Sequence, residues 1–359
     1  MKTKHILALA LLVSPAFLAF TLPADKVAFA PKEGSSVSKT FTTKAEFSLD
    51  SMSMTMNGQP SPAMPEMEMT LNATQKIVIS DEYLSNRDNA PKKLKRRFDT
   101  LDSNANVAVK VEMMGNTQNN DSDIKSASEL LGKTVVFTWD DEEKGYKKAF
   151  DPAQDDTKLL EGLEEDMDLR VLLPEKEVKE GEEWDIDVKK LGSILAPGGN
   201  LSLVPEKKAD SDPMSMGGMP GMGSLSDWFN ELLEGDAKGK FSGKREIDGK
   251  QMAVIDLTVK IKSSKDMTSL VEEAMKNANL PPEMAAGMKI DHMDLDFELE
   301  GTGQLVWDTA AGHVHSFEIS GPAHVNIDVA MSLDMQGQKL SIEQSMELSG
   351  TTNLNVAVE

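Results

Sequence analysis

A mainly β (α+β) fold, an antiparallel meander with long hairpins and three or four short helices, is predicted by three observations. Apolar residues recur at alternate positions over long stretches, as in residues 37–56, where Phe41, Ala45, Phe47 and Leu49 share one parity and, after a break at Ser51, Met52, Met54 and Met56 share the other. Asn57-Gly58 and Asp248-Gly249, dipeptides suited to tight reversals, separate such stretches. Connections in the C-terminal part are short, which suits antiparallel neighbours, since parallel strands need long crossovers.

The first strand and its return, where Met67, Met69 and Leu71 resume alternation and continue through Ile77, Val78 and Ile79, form a hairpin around a tip bearing Pro60, Pro62 and Pro65. Residues 92–97 hold the one dense basic run, Lys-Lys-Leu-Lys-Arg-Arg, predicted to be a solvated face or an internal partner for acidic stretches. Strands follow at 107–111, 135–139 and 146–150, with a short helix at 126–131. Over 156–171, Leu159, Leu160, Leu163 and Met167 recur at helical spacing, and Pro174 ends that helix. Gly181 then turns the chain so that Trp184, Ile186 and Val188 form one face of a strand. Pro197-Gly198-Gly199 is a turn, with a short strand around Leu201 and Val204.

Residues 205–223, rich in Met, Gly and Pro, read as a linker or surface loop. A helix carrying Leu225, Trp228, Phe229, Leu232 and Leu233 follows and stops at Gly235, and a second hairpin spans 238–261. Ser269-Leu270-Val271-Glu272 has capping-box spacing and opens a helix to about Asn277. The remainder is a meander of strands at 288–299, 303–308, 313–320, 324–335, 339–348 and 351–358, with reversals at Gly301, Gly312, Gly321, Gly337 and Gly350. The predicted organisation is a signal peptide at 1–24, a β-rich lobe at 25–204, the linker at 205–223 and a second β-rich lobe at 224–359. One large sheet containing 205–223 as a loop is the alternative.

Lys2 and Lys4 followed by the apolar run 6–20, too short to span a bilayer, predict export to the periplasm or beyond. There is no cysteine, hence no disulfide, thiolate ligand or cysteine nucleophile. A formal charge of -22 opposes nucleic-acid phosphates and anionic lipid surfaces and keeps the chain soluble. No nucleic-acid partner and no membrane span are expected.

Three fragments carry a resemblance: Pro174 followed by Val178, Gly181 and Trp184; Gly303-Gln-Leu-Val-Trp307-Asp308 closed by Gly312; and Phe29-x-Pro31-x-Glu33-Gly34. Together they resemble a family of exported bacterial proteins of planctomycete type without an established activity. The resemblance implies a β-rich exported protein and supplies no site.

The chain has no Gly-x-Ser-x-Gly elbow, phosphate-cradling glycine loop, dinucleotide fingerprint or His-Glu-x-x-His, so a non-enzymatic role is expected. Asp102-x-Asn104-x-Asn106 starts like a calcium loop, but Val107 and Met113 break the pattern. Met214, Met216, Met219 and Met222 have the spacing by which thioethers gather a soft ion such as Cu(I). His313 and His315 share a strand face and, with His324, are a candidate imidazole set. Asp166, Asp168, Asp185 and Asp187 are the carboxylates to inspect for a cleft. The leading expectation is a binding or envelope-associated module. A curved sheet carrying an apolar ligand or a partner's apolar segment, with the Trp228-Phe229 helix as lid, is the other reading.

Overall fold

A computed structural model describes residues 24–60, 66–113, 116–154, 157–206, 233–269, 271–272, 288–335 and 338–359. The strands are β1 (Ser36–Met56), β2 (Gln59–Pro60), β3 (Glu66–Arg87), β4 (Ala90–Met113), β5 (Asn116–Ala127), β6 (Thr134–Asp140), β7 (Gly145–Phe150), β8 (Glu183–Asp185), β9 (Val204–Pro205), β10 (Glu234–Ile247), β11 (Lys250–Asp266), β12 (Met288–Asp308), β13 (His313–Met335) and β14 (Gln338–Val358). All belong to one antiparallel sheet in the order β7-β6-β4-β3-β1-β14-β13-β12-β11-β10-β8, with β2 on β1 and β5 joining β4 to β9. Strands before and after residues 205–223 therefore lie in one hydrogen-bonded sheet, closed at its middle by β1 pairing with β14 from Lys39↔Val358 to Met56↔Ile342.

Six of these strands exceed 20 residues, so at about 3.3 Å per residue each runs for roughly 70 Å. The mainly β class holds, but three or four helices do not: the described α-helical residues are α1 (Gly192–Leu195) and part of 268–272. The helix predicted over 156–171 is two 3-10 turns, Lys158–Leu160 and Arg170–Leu172, joined by irregular chain. Gly162 and Leu169 have positive φ, and the Glu164 and Glu165 carbonyls accept from the Arg96 guanidinium instead of continuing a helical ladder. Residues 126–131 are the end of β5 and a turn in which Ser128 Oγ donates to Leu201 O. The helix predicted at 224–235 lies outside the described residues except for its last three, where β10 begins.

The predicted C-terminal strands merge in pairs into β12, β13 and β14. Gly301, Gly321 and Gly350 sit within them instead of at reversals, and at Gly321 and Gly350 the backbones approach too closely for a side chain. A Cβ at Gly321 would lie 1.8 Å from the Glu300 carbonyl oxygen, and one at Gly350 would lie 1.9 Å from that of Glu46. The strand predicted through Val188 is shorter. Trp184 pairs with Gly239 on β10, and Val188–Lys190 is a 3-10 turn.

One face of the sheet is largely apolar, and its two halves are buried differently. Over the half that contains the β3–β4, β10–β11 and β12–β13 turns, residues 157–206 cross from the β7 edge to the β8 edge and return to β5, while residues 24–35 lie alongside. There Leu160, Leu163, Met167, Leu172 and Ile194 pack with Phe41, Ile79, Phe98, Phe241, Trp307 and Phe317 in one core. The opposite half has a second cluster of different composition.

Candidate functional site

Three neighbouring strands each direct a charge into the covered half. Alternation places Lys39 between Val37 and Phe41 on β1, Asp81 and Tyr83 after Ile77 and Ile79 on β3, and Arg96 between Leu94 and Phe98 on β4, all facing the core. Lys39, Asp81, Tyr83, Arg96 and Asp168 are each fully buried. Arg96 grips Asp81 with two bonds, Nε to Oδ1 and Nη2 to Oδ2, both 2.8 Å. Lys39 Nζ lies 2.8 Å from Asp81 Oδ2 and 2.6 Å from Asp168 Oδ1. Tyr83 Oη donates to the same Asp168 oxygen at 2.5 Å. Arg96 also donates to the carbonyls of Glu164 and Glu165, so the sheet holds the crossing segment through both backbone and side chain.

Two cations and two carboxylates balance in this cluster, as buried charge requires. Burial alone raises the pKa of Asp81, but Arg96 and then Lys39 outweigh it and hold the carboxyl at about 2. Burial, then Asp168 and Asp81, push the Tyr83 phenol well above its ordinary value. With no imidazole and every charged partner engaged, the cluster serves as a clamp between sheet and crossing segment.

A second ion pair flanks the clamp. Arg170 Nη2 donates to Glu165 Oε2 at 2.5 Å, and its Nε donates to Asp166 Oδ1 at 3.1 Å. Burial raises the Glu165 carboxyl to about 7 against the opposing pull of Arg170. Glu165 Oε1, Arg170 Nη1 and Asp168 Oδ2 are buried without a hydrogen-bond partner among the described residues. Glu165 and Arg170 also border a cleft of about 720 Å³ that reaches Arg87, Tyr146 and Lys189.

The other half of the apolar face has a Met-rich cluster. Met69, Val107, Ile290, Met293, Leu295, Ile327, Met346 and Leu348 are buried there beside half-buried Phe47, Leu49, Met52, Leu71, Val109, Val325, Val329 and Met331. Six strands contribute, with Met52 and Met346 directly opposite each other. Among the described residues, those joining the cluster from outside the strands are Met267 and Val271.

Of the four aspartates singled out from sequence, Asp166 and Asp168 reach the buried network. Asp185 is exposed on β8, and Asp187 accepts from Lys189 N at the start of a 3-10 turn, so the four do not form one site. His313, His315 and His324 do not converge: His324 is nine residues along the same strand from His315, roughly 30 Å at strand rise. Among the described residues no three His, Cys, Asp or Glu side chains are grouped to hold a metal. Met214, Met216, Met219 and Met222, proposed for Cu(I), and the Trp228-Phe229 lid lie outside the described residues. Sequence reasoning missed Lys39, Asp81, Tyr83, Glu165 and Arg170, and reached Arg96 only within the basic run offered as an internal partner for acidic stretches. The available signal was parity, because Lys39, Asp81 and Arg96 occupy positions where the alternating pattern calls for an apolar residue.

No protein-family model matches the chain, and no curated protein matches it. Among solved structures it is similar to the outer membrane protein OprG from Pseudomonas aeruginosa, at 10% identity and a TM-score of 0.20, with 89% of this chain and 97% of that chain covered. A likeness this slight assigns neither arrangement nor function. No helix among the described residues is long and apolar enough to cross a membrane.

Proposed function

We propose that the protein is a non-catalytic, envelope-located binding module that holds a flexible apolar ligand, such as the acyl chains of a lipid, against the Met-rich half of its sheet. The observation that carries this reading is the contrast within one face: residues 157–206 cover one half, whereas Met267 and Val271 are the described residues that join the other half from outside the strands. Methionine suits such a role, since its unbranched, polarizable side chain adapts to irregular apolar shapes. At about 0.8 kcal/mol per methylene removed from water, ten methylenes contribute roughly 8 kcal/mol before ordering costs. The signal-like residues 1–24 support an envelope address.

The test is native mass spectrometry of the protein gently purified from its own host, with extraction and identification of bound lipid. Discrete adducts that disappear on delipidation, and that are lost in a folded Met346→Glu variant, are expected. A clean mass equal to the bare chain at every stage of purification contradicts the reading.

A further inference from the structure

We propose that the cleft beside Glu165 and Arg170 is a second binding site, independent of the apolar face, that takes a small organic carboxylate between Arg170 Nη1 and Glu165 Oε1. The Glu165 side chain is 3% exposed and that of Arg170 12%, yet each keeps one polar atom without a partner among the described residues. Such an atom is costly in a buried setting, and here two occur on one ion pair whose residues border the cleft. The cleft, about 720 Å³, is within the range of small-molecule sites.

The chemistry of the two free atoms selects the ligand. Arg170 Nη1 donates only. Glu165 Oε1 donates when its carboxyl is protonated, and a carboxylate ligand accepts one bond from each. A protonated carboxyl facing a carboxylate makes a short charge-assisted hydrogen bond, among the stronger kinds available to a protein. Arg87, Lys189 and Lys190 on the same cleft attract a monoanion, while Asp88, Glu164 and Asp166 disfavour one of higher charge such as phosphate. Tyr146 adds an aromatic wall, with Arg87 held over the neighbouring Trp139 ring at 3.6 Å.

Protonation of Glu165 therefore governs affinity. The charged and titratable groups facing it are Arg170, which lowers its pKa, and Asp166 and Asp168, which raise it; Arg96 and Tyr146 lie against the same group. Burial raises the carboxyl to about 7, so it is mostly protonated at pH 6 and mostly ionised at pH 8. Carboxylate binding is then about tenfold tighter at pH 6 than at pH 8 and draws a proton from solution.

The experiment is isothermal titration calorimetry of the full chain with benzoate and acetate, repeated in buffers of different ionisation enthalpy, with benzamide and inorganic phosphate as comparisons. Saturable benzoate binding with proton uptake, about tenfold weaker at pH 8, is expected. Glu165→Gln, whose amide donates at any pH, is expected to keep binding and lose both the pH dependence and the proton uptake. Proton uptake by the unaltered chain decides the matter should that variant fold poorly. Absence of saturable carboxylate binding at pH 6, or benzamide or phosphate binding as well as benzoate without pH dependence, overturns the proposal.

Discussion

The two halves of the sheet's apolar face share strands, alternation and register, yet they are finished differently. In one half, inward positions on β1, β3 and β4 carry Lys39, Asp81, Tyr83 and Arg96, and the segment 157–206 is fastened to them by Asp168 and by the carbonyls of Glu164 and Glu165. In the other half the same strands carry Met52, Met69 and Val109, joined by Met293 and Met346 from β12 and β14, with no such fastening among the described residues. A buried ionic network fixes one arrangement of a covering segment through directional bonds, whereas a methionine-lined face tolerates occupants of varied shape. One long sheet thus combines a permanently covered end with an adaptable one.

The largest effect is expected from breaking the clamp. Asp81→Ala leaves Arg96 and Lys39 buried with one carboxylate fewer and should cost about 3–5 kcal/mol in denaturant unfolding. A loss near zero would mean the network is dispensable to the covered half. Next in size is Leu348→Ala on the Met-rich half, about 2–3 kcal/mol at the low end of buried large-to-small changes because adaptable methionines surround it. A penalty equal to that of Asp81→Ala would erase the contrast between the halves.

The pH dependence separates the two buried carboxyls. Asp81 has its folded pKa depressed to about 2 from 3.8, so its contribution is fully present above pH 4, is lost as pH falls from about 4 to 2, and amounts to about 2 kcal/mol. Glu165 has the opposite sign. Its folded pKa is raised to about 7 from 4.5, so the folded state holds a proton that the unfolded state releases, and stability declines as pH rises from about 4.5 to 7. Glu165→Gln should flatten that decline while leaving the acid limb intact, as thermal melts from pH 2 to 8 would record. An unchanged neutral-pH slope would count against a protonated Glu165. The smallest effect belongs to the exposed pair Lys260–Glu300, where Lys260→Ala should leave the melting temperature unchanged within error.

The strand pattern was legible because parity is a local property: the hairpin turns at Asn57-Gly58 and Asp248-Gly249 and the inward apolar positions of β1 and β11 follow from neighbouring residues alone. The segment 157–206 was not. Leu159, Leu160, Leu163 and Met167 have helical spacing, but the carbonyls at 164 and 165 are taken by Arg96, which is distant in sequence. Arg96 itself was hidden within a basic run whose outward members, Lys92, Lys93 and Arg97, are exposed. Gly321 and Gly350 mislead in the same way, because the close backbone approach that requires them involves a neighbouring strand. Asp166 and Asp168 were noticed as acidic residues, but their partners could be found only in three dimensions.

Hydrogen–deuterium exchange of the lipid-loaded and delipidated protein tests the division of the sheet most directly. Delipidation should speed exchange of amides at 325–333 on β13 and 340–348 on β14 while those at 37–41, 77–83 and 164–170 stay protected. Equal change in both sets, or no change in either, would contradict an adaptable half joined to a clamped one.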